Sequence, residues 1–243
     1  MSTLAKALDD GTNLARWKQA MTAIGLVKDR SLLARIAAML AKPNRDVYRA
    51  NRAALAELCE QALAAAGAGQ KAAIGTAVHE FTEAIDGGFW PEFIPADLVG
   101  PLNAYRSNTA VFEVVDIEVF VVVDELTAAG SLDRLVRLPD GRVIVGDIKT
   151  GAHEPDYPLG VTTQCAIYAH GKRYDAETGQ RALLHPDLDV STGVLIHLPL
   201  ERGVDGYRCD LYALDLEWGW AAAQAAIDVR ELRRIPKLKE LQL

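Results

Sequence analysis

Two patterns divide the chain. Up to about residue 105, apolar positions recur every three or four residues, which lays them along one side of a helix. From residue 111, runs rich in β-branched and aromatic residues appear, the composition of strands. The first pattern predicts a helix over TNLARWKQAMTAI that closes at Gly25, a second over DRSLLARIAAMLA that stops before Pro43, and a third, NRDVYRANRAALAELCEQALAAA, running to the Gly-Ala-Gly at 67–69. KAAIGTAVHEFTEAI follows and ends at Gly87-Gly88, with Ile74, Ala77, Val78, Phe81 and Ile85 as its apolar stripe. Pro95 opens a shorter helix, PADLVGPLNAY.

The second pattern predicts strands over VFEVVDIEVFVVV (111–123), GSLDRLVRL and RVIVGDIK. A loop of His, Pro, Asp and Gly then leads to a helix, VTTQCAIYAHGKRY. Two more strands follow, TGVLIHLPL and YRCDLYALDL, and a last helix, EWGWAAAQAAIDVRELRRI, ends in a basic tail. Helices, three strands, a helix, two strands and a helix describe an α/β or α+β fold around one central mixed sheet.

LPDGR (138–142) fixes the register of the middle hairpin. Pro139 and Asp140 suit the central positions of a type I turn, and Gly141 supplies the left-handed residue after it. That loop pairs Leu138 with Arg142, so Leu135 faces Val145 and Asp133 faces Asp147. With side chains alternating, Asp133, Asp147 and Lys149 leave one face at one end of the hairpin, beside Leu135, Val143 and Val145. Two opposed carboxylates repel. Lys149 offsets part of this, and a hard divalent cation such as Mg²⁺ or Mn²⁺ would offset more. A hairpin end open to water would tolerate both acids, and a two-residue loop would send them to opposite faces. His79 and Glu83, four apart, share a helical face just off the apolar stripe, as do Gln164 and Tyr168.

The chain has 243 residues, 50% of them apolar, enough for a substantial core with a helical lobe. No apolar run approaches the roughly 20 residues that span a bilayer, and the start lacks the apolar core of a signal peptide. The expectation is a cytoplasmic protein with no membrane association. The net charge is −7, yet residues 1–52 hold ten Lys and Arg against four Asp, a local +6 that leaves −13 for the rest. Taken alone, that segment reads as the solvated faces of amphipathic helices; it is also a candidate phosphate-binding surface. Cys59, Cys165 and Cys209 are scattered, with no disulfide framework or metal knuckle, and read as small apolar residues.

In order, Gly75-Thr76-Ala77-Val78-His79, Glu118, Gly130-Ser131-Leu132-Asp133, Gly146-Asp147-Ile148-Lys149-Thr150-Gly151 and Gln164 to Tyr168 resemble the motifs of the RecB-like branch of the PD-(D/E)xK nuclease superfamily. The resemblance covers about residues 75–170. It is nearest to phage-encoded RecB-like exonucleases related to the CRISPR-associated ones. It implies a restriction-endonuclease-like mixed sheet flanked by helices over 71–243, with 1–70 as a basic helical lobe. It implies a metal-dependent DNA exonuclease of recombination, replication or repair; a structure-selective endonuclease and an inactive DNA-binding recombination partner are the alternatives.

Under that resemblance Asp133, Asp147, His79 and the Ile148 carbonyl hold one or two Mg²⁺ or Mn²⁺. Asp133, Asp147 and Lys149 are catalytic, Gln164 and Tyr168 bind substrate, and Glu83 and Glu118 support the site. The CRISPR-associated relatives carry an iron–sulfur cluster on four cysteines; with three here, no cluster is expected. The resemblance leaves room for a homo-oligomer and for a recombination or helicase partner on a separate chain. The implied location is the cytoplasm, the host's if the protein is phage-encoded.

Overall fold

The computed structural model describes residues 2–8, 11–41, 46–152, 158–234 and 236. Its elements in chain order are helices α1 (Ser2–Ala5), α2 (Thr12–Lys28), α3 (Arg30–Leu40), α4 (Val47–Ala66), α5 (Gln70–Asp86) and α6 (Ala96–Thr109), strands β1 (Glu113–Val123), β2 (Ala128–Arg137) and β3 (Val143–Lys149), helix α7 (Leu159–Ala169), strands β4 (Lys172–Tyr174), β5 (Arg181–Ala182), β6 (Leu188–His197) and β7 (Asp210–Asp215), and helix α8 (Leu216–Leu232). The chain divides into two compact units. One is Asp10–Ala77; the other joins Met1–Asp9 to Val78–Leu243. Pro43, the loop over 153–157 and the basic tail lie outside the described residues.

Within Asp10–Ala77 the helix boundaries follow local chemistry. The Asp29 side chain accepts from the Ser31 amide to cap α3, and Asp46 accepts from the Arg49 amide to cap α4. Gly67, at φ 87°, closes α4 in the left-handed conformation that a side chain resists. Leu32, Leu58 and Ala62 form the core, flanked by Leu26, Ile36 and Met39. Gly25 departs from expectation. It does not close α2, which runs on to Lys28. A Cβ at Gly25 would lie 1.8 Å from the Ala62 carbonyl oxygen, so this glycine lets α2 and α4 touch backbone to backbone.

The second unit is built on one seven-stranded mixed sheet in the order β5-β4-β1-β2-β3-β6-β7. Only β3 and β6 run parallel, and the chain between them includes α7. The β2–β3 hairpin has the expected register: Leu135 pairs with Val145 and Val136 with Ile144. Leu138 N–H donates to the Arg142 carbonyl at 2.8 Å, Gly141 N–H to the Leu138 carbonyl at 2.9 Å, and Gly141 has φ 94°. The predicted helix over 161–174 is shorter than expected. α7 stops at Ala169, and Lys172–Tyr174 become β4 on the free edge of β1, where their backbone groups find ladder partners.

Helices pack on both faces of the sheet. On one, Val119, Val121, Leu135, Val143 and Val145 meet Cys165, Ala166 and Tyr168 of α7 and Leu216 of α8. On the other, Val136, Ile144, Ile148, Val194 and Ile196 meet Val78 of α5 and Leu98, Leu102 and Tyr105 of α6. Among the described residues no helix is long and apolar enough to cross a membrane.

One fully buried side chain on the α5–α6 face is a cation. Arg134 donates from Nε to Asp86 Oδ2 at 2.5 Å, from a terminal nitrogen to Thr82 Oγ1 at 3.0 Å, and from the other to the Asp133 carbonyl at 2.7 Å. Tyr105 Oη donates to the same Asp86 oxygen at 2.6 Å. Burial disfavours the guanidinium, but its ion pair with Asp86 outweighs it and holds Arg134 charged. Gly146, its ladder partner, leaves space beside the Arg134 Cβ. Replacing Asp86 with Ala removes the partner and leaves the cation buried. The expected loss of unfolding free energy is about 3–5 kcal/mol, read from urea unfolding midpoints and slopes.

Candidate metal centre

The β2–β3 ladder runs from Arg137–Val143 to Arg134–Gly146. Beyond it β2 continues alongside β1 and β3 alongside β6. Asp133 stands at this parting. Its Oδ2 accepts from the Ile148 amide at 2.9 Å, where a ladder carbonyl would otherwise serve. A strand residue presents its N–H and C=O on one side, so the Ile148 carbonyl is aimed toward β2 as well.

Glu118 and Asp133 both lie between the Ile117–Arg134 and Val119–Leu132 pairs of the β1–β2 register, and Glu118 has φ 51°. A non-glycine residue in the left-handed region is strained, and such strain gathers at functional sites. The alternation also slips on β2. Leu132 and Leu135, three apart, both enter the α7–α8 core layer. Asp133 sits at this slip, so the strict two-residue period of the hairpin does not reach it.

On the side of α5, His79 Nδ1 lies 3.6 Å from Asp133 Oδ2. One ligand atom each from His79, Glu118 and Asp133 lie within 4.8 Å of one another. Two oxygens and an imidazole nitrogen suit Mg²⁺ or Mn²⁺. Asp147 is not in this group. It is buried, with Oδ2 accepting from Lys149 Nζ and Oδ1 lacking any hydrogen-bond partner. Asp133 and Asp147 are not a ladder pair; Asp147 pairs with Lys149 beside the His79–Glu118–Asp133 cluster and lies close enough to Asp133 to feel its charge. An orphaned, buried carboxylate oxygen is costly without a partner. A cation at the parting would relieve it, and in that sense the residues fit the metal.

The charges respond to this crowding. Burial, then Asp133 and Glu83, push the Glu118 carboxyl up. Burial also pushes Asp147 up; Lys149 opposes the shift and Asp133 adds to it. Burial acts against the Lys149 ammonium, but Asp147 and Asp133 prevail and keep it protonated, with its side chain 48% exposed. Glu83, one turn after His79, is half-buried and close enough to act on Glu118.

Gln164 is half-buried and donates from Nε2 to Tyr168 Oη at 3.2 Å. Tyr168 is only 4% exposed and belongs to the α7 core layer, with its phenol pushed up to about 12 chiefly by burial. It stays protonated, a hydroxyl donor facing the field of Asp133 and Asp147.

Two contributors are not apparent from pattern alone. Arg134, next to Asp133, ties that residue's carbonyl to α5. Its sequence signal is a charge inside an apolar strand, SLDRLV. His197, buried within the apolar run VLIHL, lies alongside Lys149 in the parallel ladder. Its Nε2 donates to the Gly151 carbonyl at 2.8 Å, anchoring the backbone just after the lysine.

No family model matches the chain, and no curated protein matches it.

The raised Glu118 pKa has a sign. The folded protein binds that proton more tightly than the unfolded chain, so its stabilising effect is complete below the unfolded carboxyl range and is lost as pH rises through the raised value. With cations chelated, Glu118→Gln is expected to be more stable than wild type at pH 7. The gain is below about 1 kcal/mol, because the group is largely exposed. Urea unfolding across pH should show the difference fading below about pH 4.

Proposed function

We propose that the chain is a divalent-cation-dependent deoxyribonuclease of the RecB-like PD-(D/E)xK type, acting from DNA ends. The observation that carries this reading is the convergence of His79, Glu118 and Asp133 within 4.8 Å, beside the ion pair of buried Asp147 with Lys149 at the parting of β2 and β3. His79, Glu118, Asp133 and the free oxygen of Asp147 would hold Mg²⁺ or Mn²⁺, with the Ile148 carbonyl aimed to the same side. Such an ion supplies Lewis acidity toward a phosphodiester and a water of lowered pKa.

The rest is work for the chain's own groups. Lys149, charged and half exposed, meets a phosphate oxygen and steadies the negative charge that develops there. Asp147 fixes the ammonium, so little reorganisation accompanies the reaction. The Ile148 amide fixes Asp133 in turn, and Arg134 fixes the backbone of the same residue. On this reading Gln164 of α7, with the Tyr168 hydroxyl to which it donates, offers polar contacts to a substrate backbone. An intact acid–acid–lysine set supports catalysis over a binding role alone.

End-labelled linear DNA with Mn²⁺ or Mg²⁺ tests the proposal. Degradation is expected with either ion and none with chelator, while covalently closed circles survive. Asp133→Ala, Asp147→Ala and Lys149→Ala should each lower the rate by on the order of 10²–10⁴. Binding of DNA without cleavage under all these conditions would leave the inactive-partner reading, and cleavage of closed circles the endonuclease one.

Cation affinity should depend on pH. Burial and neighbouring carboxylates push both Glu118 and Asp147 up, so a proton competes with the ion. Mn²⁺ titrations by calorimetry should show affinity rising from pH 5 to pH 7 with proton release. Asp133→Asn combined with Asp147→Asn should abolish the heat of binding.

A further inference from the structure

The α5–α6 side of the sheet is not covered along its whole width. Val136, Ile144, Ile148, Val194 and Ile196 on β2, β3 and β6 lie under those helices. On β1, Val119 and Val121 point to the α7–α8 core, so Glu118 and Phe120 face the α5–α6 side. There Phe120 is 42% exposed. In the β1–β4 register its neighbour is Tyr174, and the two rings contact with centroids 6.0 Å apart. Arg181 of β5, paired with Tyr174 in the ladder, lays its guanidinium over the tyrosine ring at 5.3 Å. Two hydrogen bonds of 2.8 Å to Asp124 hold it there. Lys172, two residues before Tyr174 and so on the same face, is exposed.

We propose that this β1–β4–β5 wing is a stacking platform for the single-stranded end of a nucleic acid. Phe120 and Tyr174 take bases, Arg181 extends the stack, and Lys172 meets the backbone. The inference rests on the nuclease reading and deepens it by naming the form of the substrate.

Three observations support it. The first is position. Phe120 is two residues from Glu118 along the same strand, about 7 Å, which matches two base steps of roughly 3.4 Å each. A strand whose terminal phosphodiester reaches the His79–Glu118–Asp133 cluster has its next bases over these rings. The second is chemistry. Every base offers a π-face, and aromatic rings with a planar guanidinium bind single strands without demanding a sequence. The third is exposure. A cross-strand aromatic pair also stabilises a sheet, but that role does not call for a guanidinium over the tyrosine, an exposed lysine beside it, or for the pair to adjoin the metal ligands. A duplex end engaging this wing would have to unpair, because stacked and paired bases present no free face.

The test is fluorescence anisotropy of a labelled single-stranded thymidine 15-mer, with a blunt 15-base-pair duplex as comparison. Chelator is present so that nothing is cut. Phe120→Leu and Tyr174→Leu keep apolar bulk but remove the rings. Each should weaken single-strand binding about tenfold and the double substitution at least 30-fold, with duplex binding changed less than threefold. Phe120→Trp should restore or tighten it, and unfolding midpoints check that the variants are folded. A double variant that binds the 15-mer as wild type does, or that loses single strand and duplex equally, overturns the platform. Wild type that cuts linear DNA with Mn²⁺ but does not bind the 15-mer also overturns it and leaves the nuclease reading standing. Wild type that neither binds nor cuts DNA overturns both.

Discussion

One carboxylate standing in for a backbone carbonyl organises the centre of this molecule. Where β2 and β3 part, the Ile148 amide would be an orphan donor in the sheet interior, and such donors are seldom left unpaired. Asp133 satisfies it. The same contact spends only one of the Asp133 oxygens, pins that side chain to the end of β3, and opens the space into which His79 and Glu118 also reach. The parting of the strands and the assembly of the cluster are thus a single event. Neither acid could approach the other across an unbroken ladder without the repulsion of opposed charges.

The buried Arg134 gives that event a fixed frame. A guanidinium removed from water is tolerable only when its donors are matched, and Asp86, Thr82 and the Asp133 carbonyl match them. Because Asp86 and Thr82 belong to α5 and Asp133 to β2, the network sets the spacing between the helix that carries His79 and the strand that carries the acid. A hydrophobic contact would allow these elements to slide; directed bonds of 2.5–3.0 Å do not. Tyr105 adds α6 to the same frame through Asp86.

The cluster stores unfavourable electrostatics. Glu118 occupies a strained backbone conformation and is pushed toward neutrality, and Asp147 keeps an oxygen without a partner in the interior. Stability alone would favour removing these features. Their coexistence at one strand end, next to a charged and half-exposed lysine, is the observation on which the cation-binding proposal builds. On the proposed reading, binding energy for the ion and for a phosphodiester comes in part from relieving this crowding.

Local patterns settled much of the architecture. The Pro-Asp-Gly turn set the hairpin register, because a three-residue loop with a left-handed glycine admits one pairing. The caps at Asp29 and Asp46 and the stop at Gly67 bounded the helices, since these act within one turn of chain. The order of apolar periods gave a mixed sheet between helices, and motif order drew His79, Asp133, Asp147 and Lys149 into one account. What the chain did not disclose depends on partners distant in sequence. Gly25 looked like a stop because nothing local reveals Ala62 against it. Lys172–Tyr174 looked helical because only the free edge of β1 makes them a strand. Glu118 and His79 meet Asp133 because the β1–β2 pairing and the packing of α5 bring them there, and neither is visible to local counting. Periodicity, capping and turn chemistry are written in neighbouring residues; close approach, strand parting and the matching of buried charge exist only once remote segments meet.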